Sequence, residues 1–107
     1  MSQEEIIQIA MQVILHAGNA RNIIREGANQ IINNQLDNVS EMISSAKKEL
    51  IEAHQIQTKM LQQEANQHNV EVTVLFTHAQ DVLMTTESEL FFIETLYGLK
   101  GKRGIRK

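Results

Sequence analysis

The 107-residue sequence has no cysteine, which excludes disulfides, thiolate metal sites and cysteine nucleophiles. It has no proline, so the strongest helix breaker is missing. Aromatic residues make up only 4%, which leaves the apolar volume to Ile, Leu, Val, Met and Ala and favours helices over strands. No apolar run approaches the roughly 20 residues of a membrane span. The opening MSQEEIIQ is acidic and lacks the basic segment of a signal peptide. A soluble, cytoplasmic protein with no membrane insertion is therefore expected. At this length one domain is expected, burying roughly two-thirds of its unfolded surface.

Positive charge is scarce until the last residues. All 13 acidic residues precede Lys100, whereas Lys100, Lys102, Arg103, Arg106 and Lys107 are five of the ten basic ones. Residues 1–99 set five basic residues against 13 acidic ones, a net charge of −8, and the last eight carry +5. An acidic body argues against nucleic-acid binding. The segment KGKRGIRK is interrupted by glycine and has no apolar period. It reads as a disordered tail, 100–107, outside a domain of residues 1–99, and is able to touch an anionic surface.

What is present is helical periodicity. Ile6, Ala10, Val13, Ala17, Ala20, Ile24, Ala28 and Ile31 recur every three or four residues and predict a helix from about Gln3 to about Asn33. The NNQ that follows is turn-forming, because Asn bonds nearby backbone groups, and Asp37 is a candidate cap for a second helix. Leu36, Val39, Ile43, Ala46, Leu50, Ala53, Gln57 and Met60 carry that helix to about Gln67. QHN then breaks the pattern, and a third helix starts near Val70. Short connections force neighbouring helices to be antiparallel. The expected fold is all-α, an up-down-up three-helix bundle.

The third helix carries two stripes. Val72, Leu75, Ala79, Val82, Leu83, Thr86, Leu90, Ile93 and Tyr97 form a broad core-facing surface. Val74, His78, Asp81, Thr85, Ser88 and Phe92 follow heptad spacing well around the helix, the pattern of a line of contact with other copies or other helices. The middle of this seam holds an imidazole and a carboxylate. His78 can take a phosphoryl group, shuttle a proton or bind a metal, and an exposed helix histidine is the plainer alternative. Asp81 can pair with His78 at i+3, be a solvated helix aspartate, or gather on an oligomer axis. On an axis its charge would need a cation, a proton or hydrogen bonds to offset it. A single helix bundle buries one stripe well, so the seam suggests contact with other copies or other helices.

Elsewhere, Ala17, Gly18 and Ala20 form a small-residue patch suited to close helix approach, with His16, Asn19 and Arg21 as cross-helix hydrogen-bond partners. Gln57 sits in an apolar slot, where a polar residue often fixes register. His54 is weakly placed, and His68 reads as a turn residue.

The stretches ILHAGNAR (14–21), EAHQIQTKMLQQEA (52–65) and VEVTVLFTHAQDVLM (70–84), in this order, resemble the enzyme IIA components of the lactose/cellobiose class of the bacterial phosphoenolpyruvate-dependent sugar phosphotransferase system. The resemblance covers about residues 3–99. It implies a homotrimer and a phosphotransferase role. His78 would accept a phosphoryl group from the histidine-containing phosphocarrier protein and pass it to a cysteine of enzyme IIB, upstream of the membrane enzyme IIC. It implies that Gln80 neighbours the phosphorylation site. It also implies that Asp81 binds a divalent metal, Mg²⁺ by the preference of hard oxygen ligands, at the trimer axis. Many members have a second histidine four residues after the active one; Val82 stands there here. A cellobiose-like β-glucoside is the favoured sugar among disaccharides that include lactose. A non-catalytic trimeric scaffold and a metal-binding bundle remain the alternatives.

Overall fold

The computed structural model describes residues 2–66 and 74–105. Three helices follow one another: α1 (Gln3–Ile32), α2 (Val39–Asn66) and α3 (Val74–Ile105). They pack as an up-down-up bundle measuring 59 × 19 × 18 Å, and no strand occurs among the described residues. The expected start of the third helix near Val70, its core residue Val72, and His68 all lie outside the described residues.

Local chemistry sets the ends of α1. Ser2 is its N-cap. The Glu5 N–H donates to Ser2 Oγ at 3.1 Å, and the Ser2 N–H donates to Glu5 Oε1 at 3.3 Å, so two otherwise orphaned donors are satisfied. At the other end Asn34 takes φ 58°, the left-handed conformation that Asn tolerates better than most residues. The Gln35 N–H reaches Gln30 O at 2.8 Å and the Asn34 N–H reaches Ile31 O at 3.1 Å, closing the helix with a Schellman motif. The NNQ turn thus forms as expected. The second helix starts later than its apolar pattern, at Val39. Asn38 and not Asp37 precedes it, and Leu36 is half-buried in the approach.

The core follows the two apolar stripes of α1 and α2 and the first stripe of α3. Val13, Val39, Leu83 and Thr86 are fully buried, with Ala10, Ala17, Ala20, Ala46, Ala53 and Ala79 around them. The Thr86 hydroxyl is satisfied by donating to Val82 O at 2.6 Å. Gln57 is 9% exposed, and its Oε1 accepts no hydrogen bond. A second cluster joins Ile6, Met60 and Phe76 near the bundle end.

Two expectations need correction. Close approach was expected at Gly18, but a Cβ there meets nothing within 4 Å; the tight position is buried Gly27, whose added Cβ would lie 3.0 Å from Ile93 Cδ1. Helices meet where the core stripe passes, and Gly27 is on it while Gly18 lies at its edge. Gly18→Ala should therefore raise stability by about 0.5–1 kcal/mol through helix propensity. Urea denaturation checks this, and a loss of stability would mean that another chain covers Gly18. The second correction concerns the tail. The helix does not end at Leu99 but runs on to Ile105, and Lys100 Nζ donates to Asn34 Oδ1 at 3.1 Å. Gly101 and Gly104 weaken a helix by about 1 kcal/mol each but do not stop one, and no proline follows.

Candidate functional site

The seam of α3 is where the heptad spacing puts it, on the side of the helix away from the core. His78, Asp81, Thr85 and Ser88 are exposed, and at the apolar ends Val74 is 89% and Phe92 65% exposed. Gln80 is half-buried. Val82 is half-buried against the main core, a position that suits an aliphatic side chain. The two stripes of α3 thus divide as expected, one filling the bundle and one facing outward.

The His78 ring makes no hydrogen bond or ion pair among the described residues. The pairing with Asp81 considered from their i+3 spacing is not formed. Both ring nitrogens are thus open to an approaching reactant, and no group among the described residues orients the imidazole or takes its proton. Such a group is a nucleophile without surrounding machinery. Transfer between carriers asks for little more, because phosphoryl transfer depends mainly on positioning and charge stabilisation.

The other described histidines are engaged elsewhere. His16 Nδ1 lies 2.6 Å from Glu49 Oε2, tying α1 to α2, and His54 Nδ1 lies 3.8 Å from Glu87 Oε2, spanning α2 and α3. A surface groove of about 480 Å³ between α2 and α3 is lined by Lys47, Leu50, Ile51, His54, Gln55, Glu87 and Leu90. No seam residue borders it.

Periodicity did not reveal what reaches Thr85 on the seam. Arg21 from α1 crosses to α3. Its Nε donates to Glu89 Oε1 at 3.0 Å, and its Nη2 donates to Thr85 Oγ1 at 2.6 Å. Thr85 in turn donates to the backbone of α3, at 2.8 Å from Asp81 O and 3.2 Å from Val82 O. Arg21 was legible as a cross-helix partner. Its partners, 64 and 68 residues away, leave no mark in the spacing of either helix. Asn19, expected to act likewise, makes no such bond among the described residues.

No group of three or more His, Cys, Asp or Glu side chains able to hold a metal occurs among the described residues. Among the described residues, one chain offers a cation at this position the carboxylate of Asp81. A metal fits this position only where copies of the seam meet and bring their carboxylates together.

Residues 8–100 match the family described as the PTS system, lactose/cellobiose specific IIA subunit. The chain is 38% identical over 81 residues to the lichenan-specific phosphotransferase enzyme IIA component of Bacillus subtilis, covering 76% of this chain and 74% of that one. It is similar to the crystal structure of PtcA from S. mutans, with a TM-score of 0.89 and 32% identity over 94% of this chain and 99% of that one. It is also similar to a chain of the IIA(Chitobiose)–HPr complex of Escherichia coli, with a TM-score of 0.79 and 26% identity over 92% and 96% of the two chains.

Proposed function

The chain belongs to the lactose/cellobiose-specific IIA subunits of the sugar phosphotransferase system, and from that premise we propose that His78 is its phosphoryl carrier. The observation that carries this reading is an exposed, unengaged imidazole on the outward face of α3, inside the matched segment. A ring nitrogen attacks the phosphorus of the phosphohistidine on the histidine-containing phosphocarrier protein. One P–N bond forms as the other breaks. A cysteine thiolate of enzyme IIB then takes the group and leaves the imidazole neutral. The similarity to a IIA chain solved with HPr supports the first partner. Gln80, which matches a residue near the phosphorylation site in the family, would help to steady an incoming phosphoryl group.

The working form is a homotrimer, supported by the exposed seam, which a single chain leaves open from Val74 to Phe92. In that assembly Asp81 from each copy would hold a divalent cation, and the all-oxygen donor set suits Mg²⁺. The ion would supply charge neutralisation and take no part in the transfer. The sugar is a β-glucoside or lactose-type disaccharide, cellobiose above others. The family description and the relative named for lichenan support this class. The protein works in the cytoplasm, in keeping with the lack of any described helix long and apolar enough to cross a membrane.

Incubation with phosphoenolpyruvate, the general phosphotransferase enzymes and the phosphocarrier protein should add one acid-labile phosphoryl group to the intact mass. No gain would defeat the carrier reading and leave a helical scaffold. Sedimentation equilibrium at micromolar concentration should give three times 12.2 kDa, and a stable monomer would defeat the trimer.

A further inference from the structure

One end of the bundle differs from the rest of the molecule in charge. It holds the connection between α1 and α2 and the last turns of α3, and the bond from Lys100 Nζ to Asn34 Oδ1 at 3.1 Å fastens the two together. From Ile32 to Val39 the only charged residue is Asp37, and after Glu94 the chain has no acidic residue at all. Lys100, Lys102 and Arg103 lie on α3 there, three basic residues against one acidic, and Arg106 and Lys107 follow in sequence. The chain to residue 99 carries −8, so the cations are gathered where the acids are not. The same end exposes an apolar side chain. Ile32, the last residue of α1, is 74% exposed. Leu96 and Leu99 are exposed too, but they follow Phe92 at spacings of four and three and extend the seam of α3, whereas Ile32 belongs to another helix. The pull of a helix C-terminus on cations accounts for basic residues in the last turn of α3 and gives no reason for an exposed isoleucine beside them.

We propose that this end docks on an anionic phospholipid surface, its cations against the headgroups and Ile32 at the boundary with the acyl chains. The contact is peripheral, since no described helix is long and apolar enough to cross a membrane. Near an anionic leaflet each Lys or Arg of such a cluster is worth about fivefold in affinity. The isoleucine supplies a second, weak signal, and two weak signals together give a reversible attachment that neither gives alone. The acidic body is repelled by the same headgroups, so the basic end alone makes contact. An acidic protein or a nucleic acid answers the cations but offers no general apolar layer to Ile32, which favours lipid. Docking needs neither a phosphoryl group on His78 nor contact along the seam, so it stands or falls apart from the carrier and trimer readings. For a carrier whose group moves on towards a membrane enzyme, residence at the surface shortens the search for the acceptor.

Flotation of the full chain with vesicles tests this, with circular dichroism to follow folding. In low salt the wild type should float with vesicles of phosphatidylcholine and phosphatidylglycerol in equal parts, and not with phosphatidylcholine alone. Raising the salt to about 1 M, where the Debye length is about 3 Å, should release it. Lys102→Gln combined with Arg103→Gln should weaken binding about 25-fold, fivefold for each lost charge. Ile32→Ser should weaken it at least about fourfold, the worth of one buried methylene, and it leaves α3 untouched should the glutamine pair loosen the end of that helix. Lys59→Gln, an exposed position towards the other end of α2, should bind like the wild type. The proposal is overturned if the mixed vesicles retain no more protein than phosphatidylcholine alone, or if the Lys102–Arg103 variant binds like the wild type with its helix content intact. It is equally overturned if Lys59→Gln loses binding as that variant does, or if Ile32→Ser binds undiminished. Binding to polyglutamate or to an oligonucleotide, with none to the mixed vesicles, would assign the basic end to an acidic protein or a nucleic acid instead.

Discussion

His78→Gln should abolish phosphorylation by the phosphoenolpyruvate-dependent relay while leaving helix content and sedimentation unchanged. The position is exposed, and the imidazole forms no bond among the described residues that glutamine would break. Surface replacements of this kind usually shift stability by within about 0.5 kcal/mol. The loss of function is total because an amide nitrogen is not a nucleophile at neutral pH, and no group beside His78 among the described residues can substitute. The protein carries its own controls. His16 is held against Glu49 and His54 lies beside Glu87, both away from the seam, so glutamine at either position should leave the phosphoryl gain intact. Phosphopeptide mapping decides between them. Label retained by His78→Gln, or found on His16, His54 or His68, would show that the seam histidine is not the acceptor.

Asp81→Leu should make the protein indifferent to chelator and at least as stable as the wild type. In one chain the carboxylate is exposed and makes no side-chain bond among the described residues, so its removal costs little there. In a trimer three copies approach one axis. At an effective dielectric near 20, each carboxylate pair 4 Å apart is unfavourable by about 4 kcal/mol. A divalent cation would offset that repulsion. EDTA should therefore lower the melting temperature of the wild type and leave that of Asp81→Leu unchanged. Replacing repelling charges by an apolar side chain on a contact line can be neutral or stabilising. If Asp81→Leu still bound a divalent ion tightly and still lost stability in EDTA, the ion would sit elsewhere.

Much of this architecture is written in apolar spacing, because burial is what the spacing encodes. The eight positions from Ile6 to Ile31 on α1 came out as the buried face, except that Gly27 and Ala28 exchange roles. The division of α3 into an inward and an outward stripe was equally legible, and with it the exposure of His78 and Asp81. Phe76 was not, since its place in the cluster with Ile6 and Met60 depends on how the far end of the bundle closes. Glycine was misread for a related reason. A small residue signals close approach only when it faces a neighbour, and facing is settled by the packing of all three helices. The Arg21–Glu89 and Arg21–Thr85 bonds depend on the parallel alignment of α1 and α3, which no single helix records. The end of α3 was misjudged from composition, because glycine and lysine in a row suggest a loop but do not forbid a helix.

That continuation of α3 makes the molecule an electric dipole. Beyond Lys100 the helix continues through Lys102 and Arg103, two and three residues on, about 3–4.5 Å further along the axis at 1.5 Å per residue, while the bulk of the chain to residue 99 carries −8. Charge separated along a 59 Å rod produces a torque in an external field. A charged surface would turn the rod end-on before contact. Because the Debye length is about 8 Å at physiological ionic strength, this orientation acts only in the last ångströms of approach and weakens as salt is raised.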